Sequence, residues 1–215
     1  MKILFCACLL FYSFLSTAVA SNTISIGEFS QDHYKNWQSK LFKGETRYQL
    51  VKLDNSIVLK AESHQSASGL VKEQRVDLKK TPYLNWQWRI ENRLGGINEQ
   101  LKSGDDYPAR IYVVVDGGWA FWKTKAINYV WASNTEKGKI WPNAFAGENA
   151  MMVALRSTGD ETGTWYREKR NIYADLKQLF GEDIRYIDAV AIMTDTDNAQ
   201  GKATAYYGDI YFSND

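Results

Sequence analysis

Two acidic stretches are the first places in this sequence where chemistry could sit. In SGDDYPARIYV, Asp105 and Asp106 stand just before an apolar run that contains Arg110. In AVAIMTDTDN, Asp195, Asp197 and Asn198 stand just after one. Paired carboxylates serve as general acid and base when their surroundings separate their pKa values. They also surround hard cations such as Ca²⁺, which take oxygen ligands, and they accept hydrogen bonds from a polar ligand. A fourth reading is a turn whose Asp and Asn side chains bond their own backbone. An EF-hand loop is excluded. Counted from Asp195, its fifth, sixth and twelfth positions are Ala199, Gln200 and Tyr206, where ligands and a glycine are required. Asp195 and Asp197 remain the candidate ligands of a looser, structural Ca²⁺ site, and no other cofactor is expected.

Other catalytic chemistries lack their residues. There is no Gly-x-Ser-x-Gly elbow, no His-Glu-x-x-His, no phosphate-binding loop and no dinucleotide glycine motif. His33 and His64 are the only histidines, and neither has triad or ligand spacing. Cys6 and Cys8 are the only cysteines and both precede Ala20, so thiol chemistry is absent beyond it. An enzyme built on this chain would be a carboxylate-dependent glycan hydrolase or lyase, using Asp105 or Asp106 with Asp195, Asp197 or Asp209. With no recognised catalytic motif, the expected activity leans to binding without turnover.

A binding site would draw on other residues. Arg110, Arg156 and Arg170, with Asp209, fall at or beside strand positions, where they either pair to hold sheet geometry or converge on a polar ligand. In DGGWAFW, Trp119, Phe121 and Trp122 follow two glycines outside any regular strand. Large aromatics are costly to leave in water. They either cap the end of the fold or form a platform for a sugar, a lipid or a protein. The third reading of the chain, a protein-interaction module of the cell envelope, rests on that loop.

The elements that must position these groups are strands. YLNWQWRIEN puts Leu84, Trp86, Trp88 and Ile90 on one face and Asn85, Gln87, Arg89 and Glu91 on the other, a half-buried strand facing a core. Similar runs cover 48–53, 56–62, 69–78, 110–116, 126–132, 151–156, 186–194 and 203–212. In the run at 126–132, Ile127, Tyr129 and Trp131 share one face and Asn128 points to the other with Val130. One helix is expected near 172–180, with Asn171 as N-cap, Ile172, Leu176, Leu179 and Phe180 at helical spacing and Gly181 closing it. About nine or ten strands with one short helix and no repeat predict a mainly all-β chain, an antiparallel β-sandwich of jelly-roll type.

The ends and the charge bound the setting. Lys2, the apolar run from Ile3 to Leu15 and Ala18-Val19-Ala20 form a secretory signal, too short for a stable membrane anchor. Cleavage after Ala20 is expected, leaving 21–215 as one β-sandwich domain, periplasmic or secreted. Beyond it no apolar stretch is long enough to cross a membrane as a helix. Without Lys2 the chain has 25 basic and 25 acidic residues, and no basic stripe, so nucleic acid is not an expected partner.

Seven ordered blocks carry a family resemblance: SASGL at 66–70, LNWQWRI at 84–90, DDYPARIYVV at 105–114, INYVWAS at 127–133, REKRNIYADLKQLFG at 167–181, AVAIMTDTDN at 189–198 and AYYGDIYF at 205–212. Together they resemble the bacterial family catalogued as domain of unknown function 3047, whose typical members look like exported single domains. The resemblance implies a site drawn from Asp105, Asp106, Arg110, Asn128, Tyr129, Trp131, Arg170, Asn171, Asp195, Asp197, Asn198 and Asp209, which fall within these blocks. Trp119 and Trp122 lie outside them. AYYGDIYF also looks like the last strand of galactose-binding-like jelly rolls, which implies a glycan held on a concave sheet face or at loop tips. The expectation is an exported sandwich that binds carbohydrate or another polar envelope ligand.

Overall fold

The computed structural model describes residues 22–120 and 123–215. The expected signal, 1–20, and Trp122 lie outside the described residues. In chain order the strands are β1 (Thr23–Gly27), β2 (Gln38–Lys43), β3 (Arg47–Leu53), β4 (Ser56–His64), β5 (Ala67–Asp77), β6 (Tyr83–Ile90), β7 (Ala109–Val115), β8 (Lys125–Trp131), β9 (Ile140–Asn143), β10 (Gly147–Arg156), β11 (Tyr166–Asn171), β12 (Tyr186–Asp195), β13 (Lys202–Tyr207) and β14 (Ile210–Ser213), with α1 (Ile172–Phe180) between β11 and β12.

They form two seven-stranded sheets. The first runs β1-β14-β6-β13-β4-β3, with β11 on the other edge of β6; the second runs β2-β5-β12-β7-β8-β10-β9. The chain is the expected β-sandwich with one short helix. Inward-facing Leu84, Trp86, Trp88 and Ile90 of β6 are all buried, and the second sheet answers with Ile111, Val113, Ile127, Tyr129, Trp131, Val190 and Ile192. Trp86 meets Tyr129 at a ring-centroid distance of 5.5 Å, and Trp88 meets Trp131 at 5.9 Å. Each large aromatic removes roughly 150–250 Å² from water, at about 25 cal/mol per Å². These rings therefore weld the two layers.

Three details depart from the expectation. First, β10 pairs with β8 in parallel, so the second sheet is not purely antiparallel. After β8 the chain passes one strand width outward to β9 before β10 fills the gap. Buried Glu99 holds that crossing by accepting the backbone N–H groups of Ser133, Asn134 and Thr135. Second, the single run expected at 203–212 is two strands, β13 and β14, both on one edge of β6 and broken at Gly208-Asp209. A Cβ on Gly208 would lie 2.4 Å from the Gln87 side chain, which would have to turn aside to admit one. Third, β1, β2, β9 and β11 were not expected. The residues of β2 (QSKLFK) are exposed throughout and those of β11 (YREKRN) are mostly charged, so neither shows the alternation that marks a strand.

The helix matches its signals. The Asn171 side chain accepts the Ala174 N–H at 3.0 Å. Gly181, at φ 70°, ends the helix by donating its N–H to the Lys177 carbonyl.

Candidate functional site

Alternation along the second sheet sends Ile111, Val113, Ile192 and Ile127 to the core and Arg110, Tyr112, Met193, Asp195 and Asn128 to the opposite face. Register brings them together. Met193 lies beside Arg110 and Tyr112 beside Asn128, while Asp195 faces Ala67 on β5. Over this face lies a pocket of about 500 Å³. Phe42 and Lys43 of β2 wall one side, and Asn143 of β9 and Phe145 of the following turn wall the other. Phe42 and Phe145 are 65% and 59% exposed, so the polar floor has an exposed aromatic ring at each side, with the Lys102 ammonium 5.3 Å from the centroid of the Phe145 ring.

The floor is charged and nearly dry. The Arg110 side chain is buried between the rings of Tyr107 and Tyr112, at 5.0 and 5.4 Å from their centroids. Its guanidinium donates to Asp195 Oδ2, and another of its nitrogens stands 3.9 Å from Asp105 Oδ2. Asp105 accepts both contacts of the Asn143 amide at 3.2 Å. Burial pushes the Asp105 carboxyl above its usual range, with Arg110 pulling the other way. Burial also pushes Asp195 up; Arg110 opposes this, and Asp106 and Asp105 add to it. On Arg110 itself burial works against the charge, but Asp195, Tyr112 and Asp105 outweigh it and hold the guanidinium ionised.

Asn128 is the outlier. It is buried at the pocket floor, yet neither Oδ1 nor Nδ2 has a hydrogen-bond partner among the described residues. A buried amide with both ends unpaired costs stability.

The turn after β12 forms the pocket's upper lip. Asp106 clamps it by accepting the Asn198 N–H at 3.1 Å, the Asn198 amide at 3.2 Å and the Ala199 N–H at 2.5 Å. Thr196 anchors it from beneath, donating its N–H to the Ser66 carbonyl at 2.9 Å, with its hydroxyl 2.8 Å from that of Ser63. Carboxylate oxygens of Asp106, Asp195 and Asp197 lie within 4.8 Å of one another. That spacing suits a hard cation. The donor set fits one poorly, because Asp195 already meets a guanidinium and Asp106 already accepts three N–H groups.

Asp105, Asp106, Arg110, Asn128, Asp195, Asp197 and Asn198 are thus one constellation. The other expected site residues are placed elsewhere. Tyr129 and Trp131 face the core, as alternation on β8 requires. The Tyr129 hydroxyl and Arg170 both bind Asp175 of α1, Arg170 through two contacts at 2.9 and 2.7 Å. Asp209 accepts the Ser30 N–H at 2.8 Å beside the first sheet. Trp119 is 93% exposed on the loop after β7, at the far end of that strand from Arg110. Lys43, Phe42, Tyr112, Asn143 and Phe145 were missed. Tyr112 and Asn128 could have been paired by alternation, but the rest reach the pocket only through sheet order.

No curated protein matches this sequence. Among solved structures, the chain is similar to the cellulose-induced protein Cip1, with 10% identity over 92% of this chain and 98% of that one and a TM-score of 0.52. It is also similar to the family 30 carbohydrate-binding module of the cellulosomal cellulase Cel9D-Cel44B of Clostridium thermocellum, with 11% identity over 89% and 96% of the two chains and a TM-score of 0.50. Identities this low show a shared fold. The model of the protein family of unknown function DUF3047 matches residues 35–211, a span that includes every residue of the constellation, and the chain belongs to that family.

Proposed function

We propose that this protein is an exported, periplasmic, single-domain binder of carbohydrate, and that the sugar sits in the pocket over β12, β7 and β8. The observation that carries the reading is Asn128. Its unpaired donor and acceptor match two neighbouring hydroxyls of a sugar, one accepting and one donating. Asn143, Asn198 and the aspartates add planar polar groups to the walls, and Phe42 and Phe145 offer faces on which a ring can stack. The fold shared with a carbohydrate-binding module supports the reading.

Glycan hydrolysis or lysis is the second reading, favoured by the close carboxylates and by the raised Asp105. A glycan array, followed by mass spectrometry of each retained glycan, separates the two. Binding without turnover should leave the glycan intact, and Asn128→Leu should lower retention at least about tenfold. Cleavage products would move the assignment to the enzyme, and an array on which nothing is retained would reject both. No cation enters the reading. Melting curves with and without chelator should coincide, since a saturating ion at about 100 times its dissociation constant would add about 2.7 kcal/mol.

A further inference from the structure

We infer that the sugar this pocket prefers carries a free ammonium group, an amino sugar, and that acidic sugars are rejected. The inference rests on the carbohydrate reading and narrows its ligand. Four carboxylates meet here, Asp105, Asp106, Asp195 and Asp197, against two cations, Arg110 and Lys43. Their charges are unevenly met. Arg110 donates to Asp195 and stands 3.9 Å from Asp105, so one guanidinium serves two acids. The charge on Asp106 is met by the three N–H groups it clamps.

Lys43 is a weak partner for Asp197. Its ammonium donates to the Asp197 carbonyl at 3.0 Å, while the carboxylate oxygen is 3.8 Å away, and the lysine side chain is 57% exposed. Asp197, which also accepts the Asn198 amide at 3.3 Å, is therefore the least neutralised of the four carboxylates, and it is largely shielded from water. An ammonium has several donors and no acceptor, and in a shielded site its attraction to a carboxylate is little screened. A uronate or a sulfated sugar would add a fifth anion to the same volume.

The acids alone would suit a metal ion or a simple amine. The buried amide of Asn128 sets the second requirement, because it has no use for either. It needs a donor and an acceptor side by side, as two adjacent hydroxyls provide. A ligand meeting both demands is a hydroxylated ring with an amine, and the aromatic faces of Phe42 and Phe145 at the rim suit such rings.

Titration calorimetry at low salt with three oligosaccharides of equal length tests this: glucosamine, N-acetylglucosamine and glucuronate oligomers. The glucosamine oligomer should bind about tenfold or more tighter than its acetylated form, and the glucuronate oligomer should not bind. Asp197→Asn should shrink the advantage of the amine, read as the ratio of the affinities for the two oligomers, by about fivefold or more. Should that variant fail to fold, the wild type gives the same reading. Its amine advantage should fade as pH is raised through the pKa of the sugar's own amine, where the ammonium loses its charge. Equal affinity for amine and acetylated oligomers, or tighter binding of the glucuronate, overturns the amine preference and leaves the carbohydrate reading standing. If no sugar on the broader array binds, the carbohydrate reading fails and the preference falls with it.

Discussion

Replacing Asn128 by leucine should make the protein more stable and less able to bind. Asn128 is 1% exposed, and both polar atoms of its amide lack partners. An unsatisfied buried donor or acceptor costs about 1–3 kcal/mol. Leucine has the same branched shape and number of heavy atoms; its bulkier methyls can enter the adjoining pocket, so the substitution leaves no cavity and adds apolar contact with Met152 and Tyr112, its neighbours across the sheet. The net gain should be about 1–3 kcal/mol. For a chain of this size each kcal/mol moves the melting temperature by about 2–4 °C, so the rise should be about 2–12 °C. Urea denaturation should show the midpoint moving up with an unchanged slope, since the surface exposed on unfolding is the same. A residue that merely holds the sheet together would behave the other way. A lower melting temperature, or a changed slope, would refute the claim that this amide is kept at a cost for the sake of a ligand.

Three further outcomes follow from the same geometry. Arg110→Met leaves Asp195 and Asp105 buried beside each other without a guanidinium, and should cost about 3–5 kcal/mol near neutral pH. The denaturant midpoint should recover part of that loss near pH 4, where carboxylates take up protons; a penalty independent of pH would contradict it. Asp105 itself gives a signed test. Burial holds its folded pKa above the unfolded value of about 3.9, so its contribution is present below that value and is lost as pH rises through the folded one. Asp105→Asn has no such proton to lose, and its melting temperature should gain on the wild type as pH rises above about 4. If the variant instead loses ground over that rise, the burial argument has the wrong sign. Trp86→Ala removes a ring packed between Trp88 and Tyr129 and should destabilise by about 3–5 kcal/mol, read by calorimetry; an unshifted transition would place that face outside the core.

Where the backbone pattern is local, the chain could be read directly. The strict alternation of LNWQWRI yields a strand and its core face at once, and Asn171 with Gly181 brackets α1 to the residue. The same rule assigned Asn128 and Tyr129 to opposite faces, as observed. Edge strands escaped because solvent on most sides removes the need for an apolar period, as in β2 and β11. The site was half legible. Asp105, Asp106, Arg110, Asp195, Asp197 and Asn198 stood out as polar residues at strand ends, while Arg170 and Asp209 stood out equally and belong elsewhere.

By itself, then, the sequence determined the class of fold, the inward face of each long strand and the presence of polar clusters at their ends, because these depend on residues within one turn or one strand of each other. Tertiary structure alone decided which clusters meet. Asp105 and Asp195 are distant in sequence and share one guanidinium only because β12 pairs with β7. Lys43 and Asn143 reach the same pocket only because β2 and β9 end up at opposite edges of that sheet. Strand order is set by the total burial of two facing layers, a sum over contacts far apart in the chain, and no local period encodes it.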